Sequence, residues 1–600
     1  MGLLSIFSGK APENYEQKGD ALFEANAYGK AVVEYQRALD RLGKTSPSND
    51  GYRQNLQDKI RTSKEKLALE HQQTAENLMA AGHDYDARQY IELALELTEE
   101  PFDLRECVET TLDMAASGDG AEGLEPEGVG PVDLVDAGEG DHEQHQQEGT
   151  ADEPELLALD EVRQAEKIQD GYVNFYAADA VNPYVSLAAA GPWLVTMKGA
   201  VVYDAGGYGM IGAGHAPPDV LAAMSRKHVM ANIMTPNISQ KRLVASLRRE
   251  IGHTRGECPF SKFLCVNSGS ESVTVAARLS DINAKLMTDP GGRYAHRPTR
   301  ILSLKGSFHG RTQRPAQFSD STRKTYSKFL ASFRDNDSLI TVEPNDVEQL
   351  QQVFHWAEEN GIFIEAFFME PVMGEGNPGM AITPKFYAEA RRLTLEHGSL
   401  LLVDSIQADL RAQGVLSIVD YPGFEGQQAP DMETYSKALN AGQYPLSVLA
   451  MTDRAASLYR KGAYGNTMTT NPRAMDVAVA VLEGLTPELR RNIRDRGVEA
   501  VTKLKAMAEE LGDRVTGVQG TGLLFSVGLD GRRYKAYGAD SVEEYLRFNG
   551  ISVIHGGENS LRYTPYFGIT SEEVDLLVES TRQAILNGPV KASADEAAAA

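Results

Sequence analysis

Cysteine is almost missing from this chain. Only Cys107, Cys258 and Cys265 occur in 600 residues, with no CxxC pair and no metal-ligand spacing. That argues against a disulfide framework or a metal centre and for a reducing, cytoplasmic compartment. Long apolar runs are missing too. None approaches the roughly 20 residues that span a bilayer, so no membrane partner is expected. The start, MGLLSIFSGK, lacks the basic n-region and full h-region of a signal peptide. Gly2 invites a myristoylation reading, but Ile6 stands where Ser or Thr is required. Lys and Arg are absent between Arg105 and Arg163, an interval that holds 18 Asp and Glu. The net charge of −26 less those 18 charges leaves −8 for the rest of the chain. Acidity is therefore mainly a property of one segment, and it speaks against a nucleic-acid partner.

What is present divides into several domains, as this length requires. Residues 1–116 read as helices. Tyr15, Gly19, Leu22, Tyr28, Ala31, Tyr35 and Ala38 fall at tetratricopeptide-repeat spacings, where small residues let two helices approach and aromatics fill the groove. A weaker echo places Ala87, Ile91 and Ala94 at equivalent positions, but Ala31 and Ala87 are 56 residues apart rather than about 34. The expectation is an irregular repeat-like module or an ordinary helical bundle, and only the repeat would imply protein docking. Residues 117–163, rich in Gly and acid and poor in aromatics, read as a disordered, self-repelling linker. Residues 589–600 read as a disordered tail.

Between these lies an α/β pattern. KFLCV, RILSLKG, FIEAFFMEPV, SLLLVD and PLSVLAMT read as buried strands, with helices such as ESVTVAARLSDINAKL between them. This alternation predicts a mainly parallel sheet flanked by helices. The expected divisions are an N-terminal segment at 164–240, a large domain at 241–475 and a small α+β domain at 476–588. Sites in such sheets form at the carboxyl ends of strands. One strand, Leu400–Val403, runs straight into Asp404 and then Gln407, and a buried carboxylate there requires a cation. Other strand-end loops carry NSGSES at 267–272, SFHGRT at 307–312, MEPVMGEG at 369–376, and Lys437 within TYSKALNAGQYP. Taken singly, a Ser/Gly turn caps a helix, and a lone Lys437 or His309 is an ordinary surface or structural residue.

Together and in this order, NSGSES, FHGRT, EPVMGEG, DSIQ, SKALNAGQYPLS, GNTMTTNP and SLRYTPYFGITSEEVD resemble the class III aminotransferases of the ornithine and 4-aminobutyrate type. These are fold-type I enzymes that use pyridoxal 5'-phosphate. The resemblance spans about residues 170–588. It implies that Lys437 forms the internal aldimine and shuttles a proton, and that Asp404 pairs with the pyridinium nitrogen. Gln407 would reach the phenolic oxygen, and Phe308 would stack on the ring with His309 beside it. Ser268, Gly269 and Ser270 would hold the phosphate, helped by Thr467 from the other subunit of a homodimer with shared active sites. Arg311 and Arg562 would anchor substrate carboxylates, with Glu375 masking Arg562 while an ω-amino substrate is bound. The activity implied is ping-pong transamination from an amine or ω-amino acid to a 2-oxo acid such as 2-oxoglutarate. An aminomutase or racemase of the same fold, or a scaffold with a vestigial cofactor domain, are the alternatives. Two departures stand out. Ser405 occupies the position after the strand-end Asp where the family usually has Glu, and Arg411–Ala412–Gln413–Gly414 replace its GRTG.

Overall fold

The computed structural model describes residues 12–42, 50–80, 153–176, 181–334 and 338–591. The chain divides into two units, at residues 1–138 and 139–600.

In the first unit, helices Pro12–Glu24 and Tyr28–Arg41 pack as a hairpin, and the second also packs on Asp50–Ala80. The hairpin closes tightly because Gly19 has no side chain: a Cβ there would lie 2.5 Å from the Tyr35 ring. Tyr35, Ala31, Ala38 and Leu56 form the buried centre. Lys59 ties the third helix to Glu16 and Asp20, at 2.7 Å each. The Ala87–Ile91–Ala94 echo, Cys107 and most of the expected linker lie outside the described residues.

The end of that linker differs from expectation. Residues Glu153–Ala158 and Glu161–Gln169 are helical. Asp160 accepts the N–H of Arg163 at 3.0 Å and starts the second helix. Gln164 is buried and donates to the Leu156 carbonyl at 3.0 Å. Local capping and one buried amide thus outweigh the acidic composition around them.

The described residues of the second unit form three sheets. Strands β1 (Ser186–Ala190), β2 (Trp193–Thr196) and β3 (Val201–Asp204) form an antiparallel meander. Strands β4 (Lys262–Val266), β5 (Thr299–Leu304), β6 (Leu339–Val342), β7 (Phe363–Met369), β8 (Leu400–Asp404), β9 (Met432–Tyr435) and β10 (Ser447–Met451) build the central sheet. Strands β11 (Val515–Thr521), β12 (Leu524–Leu529), β14 (Ile554–Gly556) and β15 (Ser560–Tyr563) form the third, with the short β13 (Ile551–Ser552) between them in the chain.

The central order is β4-β10-β9-β8-β7-β5-β6. Strand β10 alone runs antiparallel to its neighbours, so the carboxyl ends of the other six lie along one edge. Both faces are covered, and the alternation of a strand divides its residues between them. Leu401, Val403, Phe367 and Met369 join one apolar cluster; Leu400, Leu402, Ala366 and Phe368 join the other. This is why LLLV reads as an unbroken apolar run.

The small-domain boundary also differs from expectation. A division between 475 and 476 would cut the helix Pro472–Glu483, which packs on the helices Pro218–Ser225 and Ile238–Glu250. Strand β13 pairs in parallel with β3, so the segments flanking the large domain share one sheet. Long-range pairing of this kind leaves no local signal in the chain.

Candidate active site

At the carboxyl edge of the central sheet, β4 ends at Val266 and the chain turns into the helix Gly269–Thr288. Ser268 caps this helix by accepting the Glu271 N–H at 3.3 Å, and the Glu271 carboxylate takes the Asn267 N–H at 2.7 Å. The first turn of a helix has N–H groups without intrahelical acceptors, and such a terminus binds phosphate. Space around it demands small residues. A Cβ on Gly269 would lie 2.6 Å from Ile406, and one on Gly310, at φ +112°, would lie 2.3 Å from the Ser270 oxygen. Ser270 Oγ also accepts the Arg311 N–H at 3.2 Å, which joins this turn to the loop after β5.

Asp404 ends β8 with 4% exposure. Its Oδ2 lies 2.8 Å from His309 Nδ1, and its Oδ1 takes the Ile406 N–H at 3.3 Å. An ionised Asp404 accepts from Nδ1–H, which fixes the tautomer and leaves Nε2 as the other ring nitrogen. His309 is itself buried, and Nε2 has no partner among the described residues. His309 therefore stands against the carboxylate. Gln407 is buried, and its amide oxygen likewise has no partner. Lys437 begins the turn after β9. Burial and the nearby Arg562 charge draw its ammonium down to about 8, against the pull of Glu375, Asp409 and Asp404.

On the other side, Arg562 is wholly buried on β15. Its Nη1 meets Glu375 Oε2 at 3.0 Å and also donates to the Gly374 carbonyl. Burial raises the Glu375 carboxyl, but the charges of Arg562 and Lys437 outweigh this and hold it below its ordinary range. The Arg562 guanidinium lies 5.5 Å from the Tyr208 ring. That of Arg311 lies 5.6 Å from Phe308 and 5.8 Å from Tyr176. The rings of Tyr176 and Tyr208 are 6.0 Å apart.

Thr467 is not brought to this cluster by any contact among the described residues. It is exposed, and its carbonyl accepts the Ile233 N–H at 3.2 Å.

Several neighbours were given no role by the sequence reading. Glu370, at the end of β7, accepts the N–H of Phe308 at 3.1 Å and of Gly374 at 3.0 Å, stapling two site loops together. Burial pushes it up to about 7. Asp409 and Arg411 are both fully buried in the turns after β8. Two further charged residues in the turns just after the strand-end Asp404 were the available signal. Ser405 is also explained. It is fully buried and donates to Glu433 Oε1 at 2.6 Å, while Ser417 Oγ and the Ile418 N–H serve the same carboxyl. The buried acid that Ser405 meets thus comes from β9.

The family model for class-III aminotransferases matches residues 175–585. This chain belongs to that family. An ornithine aminotransferase of Staphylococcus carnosus is 26% identical over 413 residues, covering 67% of this chain and 94% of that protein. A [LysW]-aminoadipate semialdehyde transaminase of Deinococcus radiodurans is 27% identical over 404 residues, covering 66% and 86%. The crystal structure of an ornithine aminotransferase from Toxoplasma gondii superposes with a TM-score of 0.60 at 22% identity, over 75% of this chain and 98% of that one. The class-III aminotransferase fold is therefore carried by the second unit, and the protein is a pyridoxal-phosphate-dependent aminotransferase. The residues fit the cofactor. A strand-end acid, an orphaned buried amide oxygen, a half-buried lysine and a glycine-walled helix start converge on one space.

Proposed function

We propose that this aminotransferase takes an amine or ω-amino acid as donor and 2-oxoglutarate as acceptor, with Lys437 as the cofactor-bearing lysine. The observation that carries the reading is the Arg562–Glu375 pair, whose charges act on Lys437 and which also feels Arg311. A buried guanidinium held by a carboxylate that can leave it serves two substrates. It is masked for a chain end bearing an amine and free for a chain end bearing a carboxylate. Arg311, set among Phe308, Tyr176 and Tyr326, would take the other carboxylate.

Pyridoxal phosphate, when bound, supplies an aldehyde carbon that takes up the amino group and a ring that spreads the electron pair left on the substrate. The protein's residues do the rest. The Ser268–Gly269–Ser270 turn would bind the phosphate, and Phe308 would cover the ring. Asp404, steadied by His309, would hold a proton on the ring nitrogen. Gln407 would meet the phenolic oxygen. Lys437, with its ammonium already drawn down to about 8, would bind the aldehyde and move the proton at the substrate α-carbon.

The reading extends to a homodimer in which Thr467 completes the partner's phosphate site. Met230, Ile233, Met234, Ile238 and Met468 are exposed around Thr467, an apolar surface of the kind that subunits cover. It extends also to a cytoplasmic enzyme, in keeping with the free thiols of Cys258 and Cys265. No helix among the described residues is long and apolar enough to cross a membrane. The first unit, through its Gly19–Tyr35 hairpin, would act as a tetratricopeptide-like docking module.

A donor screen tests the reading, with 2-oxoglutarate and pyruvate as acceptors and each half-reaction followed by the cofactor's absorbance. We expect ω-amines to bleach the visible band and 2-oxoglutarate to restore it. We expect Arg562→Lys to raise the KM of the oxo acid about tenfold or more while sparing the amine half-reaction. Turnover with no oxo acid present would favour an aminomutase or racemase and overturn the proposal.

A further inference from the structure

The turns after β8 place two charges where the site already described makes no use of them. Leu410, wholly buried, sits at φ +58°, a left-handed conformation that Leu adopts only when its surroundings impose it. On either side, Asp409 and Arg411 are fully buried. They do not form an ion pair. Both terminal nitrogens of Arg411 are engaged with the carbonyls of Leu523, Pro565 and Gly209. Asp409 turns instead to the lysine loop. Its Oδ2 accepts the N–H of Ser436 at 3.1 Å, and the N–H of Ala438 acts on the same carboxyl at longer range. Its Oδ1 has no hydrogen-bond partner among the described residues. The two N–H groups belong to the residues immediately before and after Lys437. The backbone there is tightly constrained. Ser436 Oγ donates to the Leu446 carbonyl at 2.7 Å, and Ala441 closes the turn at φ +53°.

We propose that Asp409 is a positioning residue for Lys437: its carboxyl holds the backbone on both sides of that lysine. The inference rests on the reading of Lys437 as the cofactor-bearing lysine. The hydrogen bond to Ser436 fixes where the side chain leaves the backbone, and the carboxyl, once ionised, favours the protonated amine. The charged and titratable groups facing Asp409 are Arg411, Lys437 and Tyr421. Those facing Lys437 are Arg562, Glu375, Asp409 and Asp404. Burial pushes Asp409 up to about 8, so its charge and that of Lys437 change over the same range and depend on one another.

The test compares the wild-type enzyme with Asp409→Asn and Asp409→Ala, using two readouts independent of turnover. In the first, Lys437 of the full-length apoenzyme is labelled with an amine-selective acylating reagent across pH 6–10 and quantified by peptide mass spectrometry. Asp409→Asn cannot become the anion that Asp409 becomes above about pH 8, so the neutral amine is favoured there and the midpoint moves to lower pH. A one-unit move corresponds to about a tenfold change in the amine's proton affinity. In the second, pyridoxal phosphate is added and trapped with borohydride, and the modified peptide is mapped. Asp409→Ala, which deprives the Ser436 N–H of its acceptor, traps cofactor on Lys437 about tenfold more slowly; Asp409→Asn, which keeps an acceptor, traps near the wild-type rate. A midpoint in Asp409→Asn equal to that of the wild type overturns the proposal even if the alanine variant fails to fold. Wild-type trapping rates in Asp409→Ala overturn it equally. Trapping on a lysine other than Lys437 in the wild type overturns the underlying assignment, and the peptide map distinguishes that outcome.

Discussion

Replacing Arg411 with alanine should cost this fold more than any change at its surface. The side chain is wholly buried. Nη1 donates to the carbonyls of Leu523 and Pro565 at 3.1 Å each, and Nη2 to that of Gly209 at 2.9 Å. The guanidinium also lies 5.2 Å from the Phe567 ring. One residue thus ties the turns after β8 to the β11–β12 turn, to the loop after β15 and to the Gly209 loop. Truncation leaves three buried acceptors unpaired, at about 1–3 kcal/mol each, and opens a cavity. The guanidinium's own desolvation offsets part of this. It is what draws Arg411 down to about 10, and removing the charge recovers it. The net expectation is a loss of about 3–5 kcal/mol, the usual cost of removing one member of a buried charged network. Against a total of about 5–15 kcal/mol, that is a large fraction. Equilibrium urea unfolding followed by tryptophan fluorescence measures it, and the midpoint should fall on the order of 1–2 M. Arg411→Lys should recover little, because a single ammonium cannot reach three divergent carbonyls. A midpoint for Arg411→Ala within about 0.3 M of the wild type would refute the clamp.

Lys437→Ala should hold pyridoxal phosphate without a covalent link and lose turnover; borohydride trapping followed by mass measurement checks the first and a steady-state assay the second. Asp404→Asn should fold normally yet lose about 10²-fold or more in kcat, because His309 keeps a neighbour while the ring nitrogen loses its anion. Glu433→Gln tests the pH balance. Burial raises the Glu433 carboxyl to about 7 from 4.5, so the folded state holds a proton that the unfolded state has released between those values. That stabilisation is complete below pH 4.5 and is lost as pH rises to 7. Wild-type stability should therefore fall by about 3 kcal/mol across that window relative to the variant, as read by unfolding midpoints at pH 4.5 and 7.5.

The strands around the site were legible because each is a short apolar run ending in a polar residue, the signature of a sheet buried on both faces. KFLCV, SLLLVD and PLSVLAMT became β4, β8 and β10. Asp404, Lys437, Phe308 and the Ser268 turn were legible as strand-end residues in a known order. Less legible was how they meet. Nothing near His309 in the chain marks it as the partner of Asp404, 95 residues away. The helix at Glu161–Gln169 was hidden by acidic composition, because a cap at Asp160 and a buried Gln164 are single-residue effects. A helix, Pro472–Glu483, runs through the expected boundary near 475, and β13 pairs with β3, far from it in the chain.

By itself, the sequence determined the class of fold, the family motifs and the residue types gathered at the carboxyl edge of the sheet. Periodicity and turn chemistry are local properties, and they survive in a linear string. Only the tertiary structure decided which charges answer one another. It set Ser405 against Glu433, Arg411 against three distant carbonyls, and Asp409 under the loop of Lys437. A buried charge is tolerated through partners supplied by folding, and those partners come from wherever the chain happens to return.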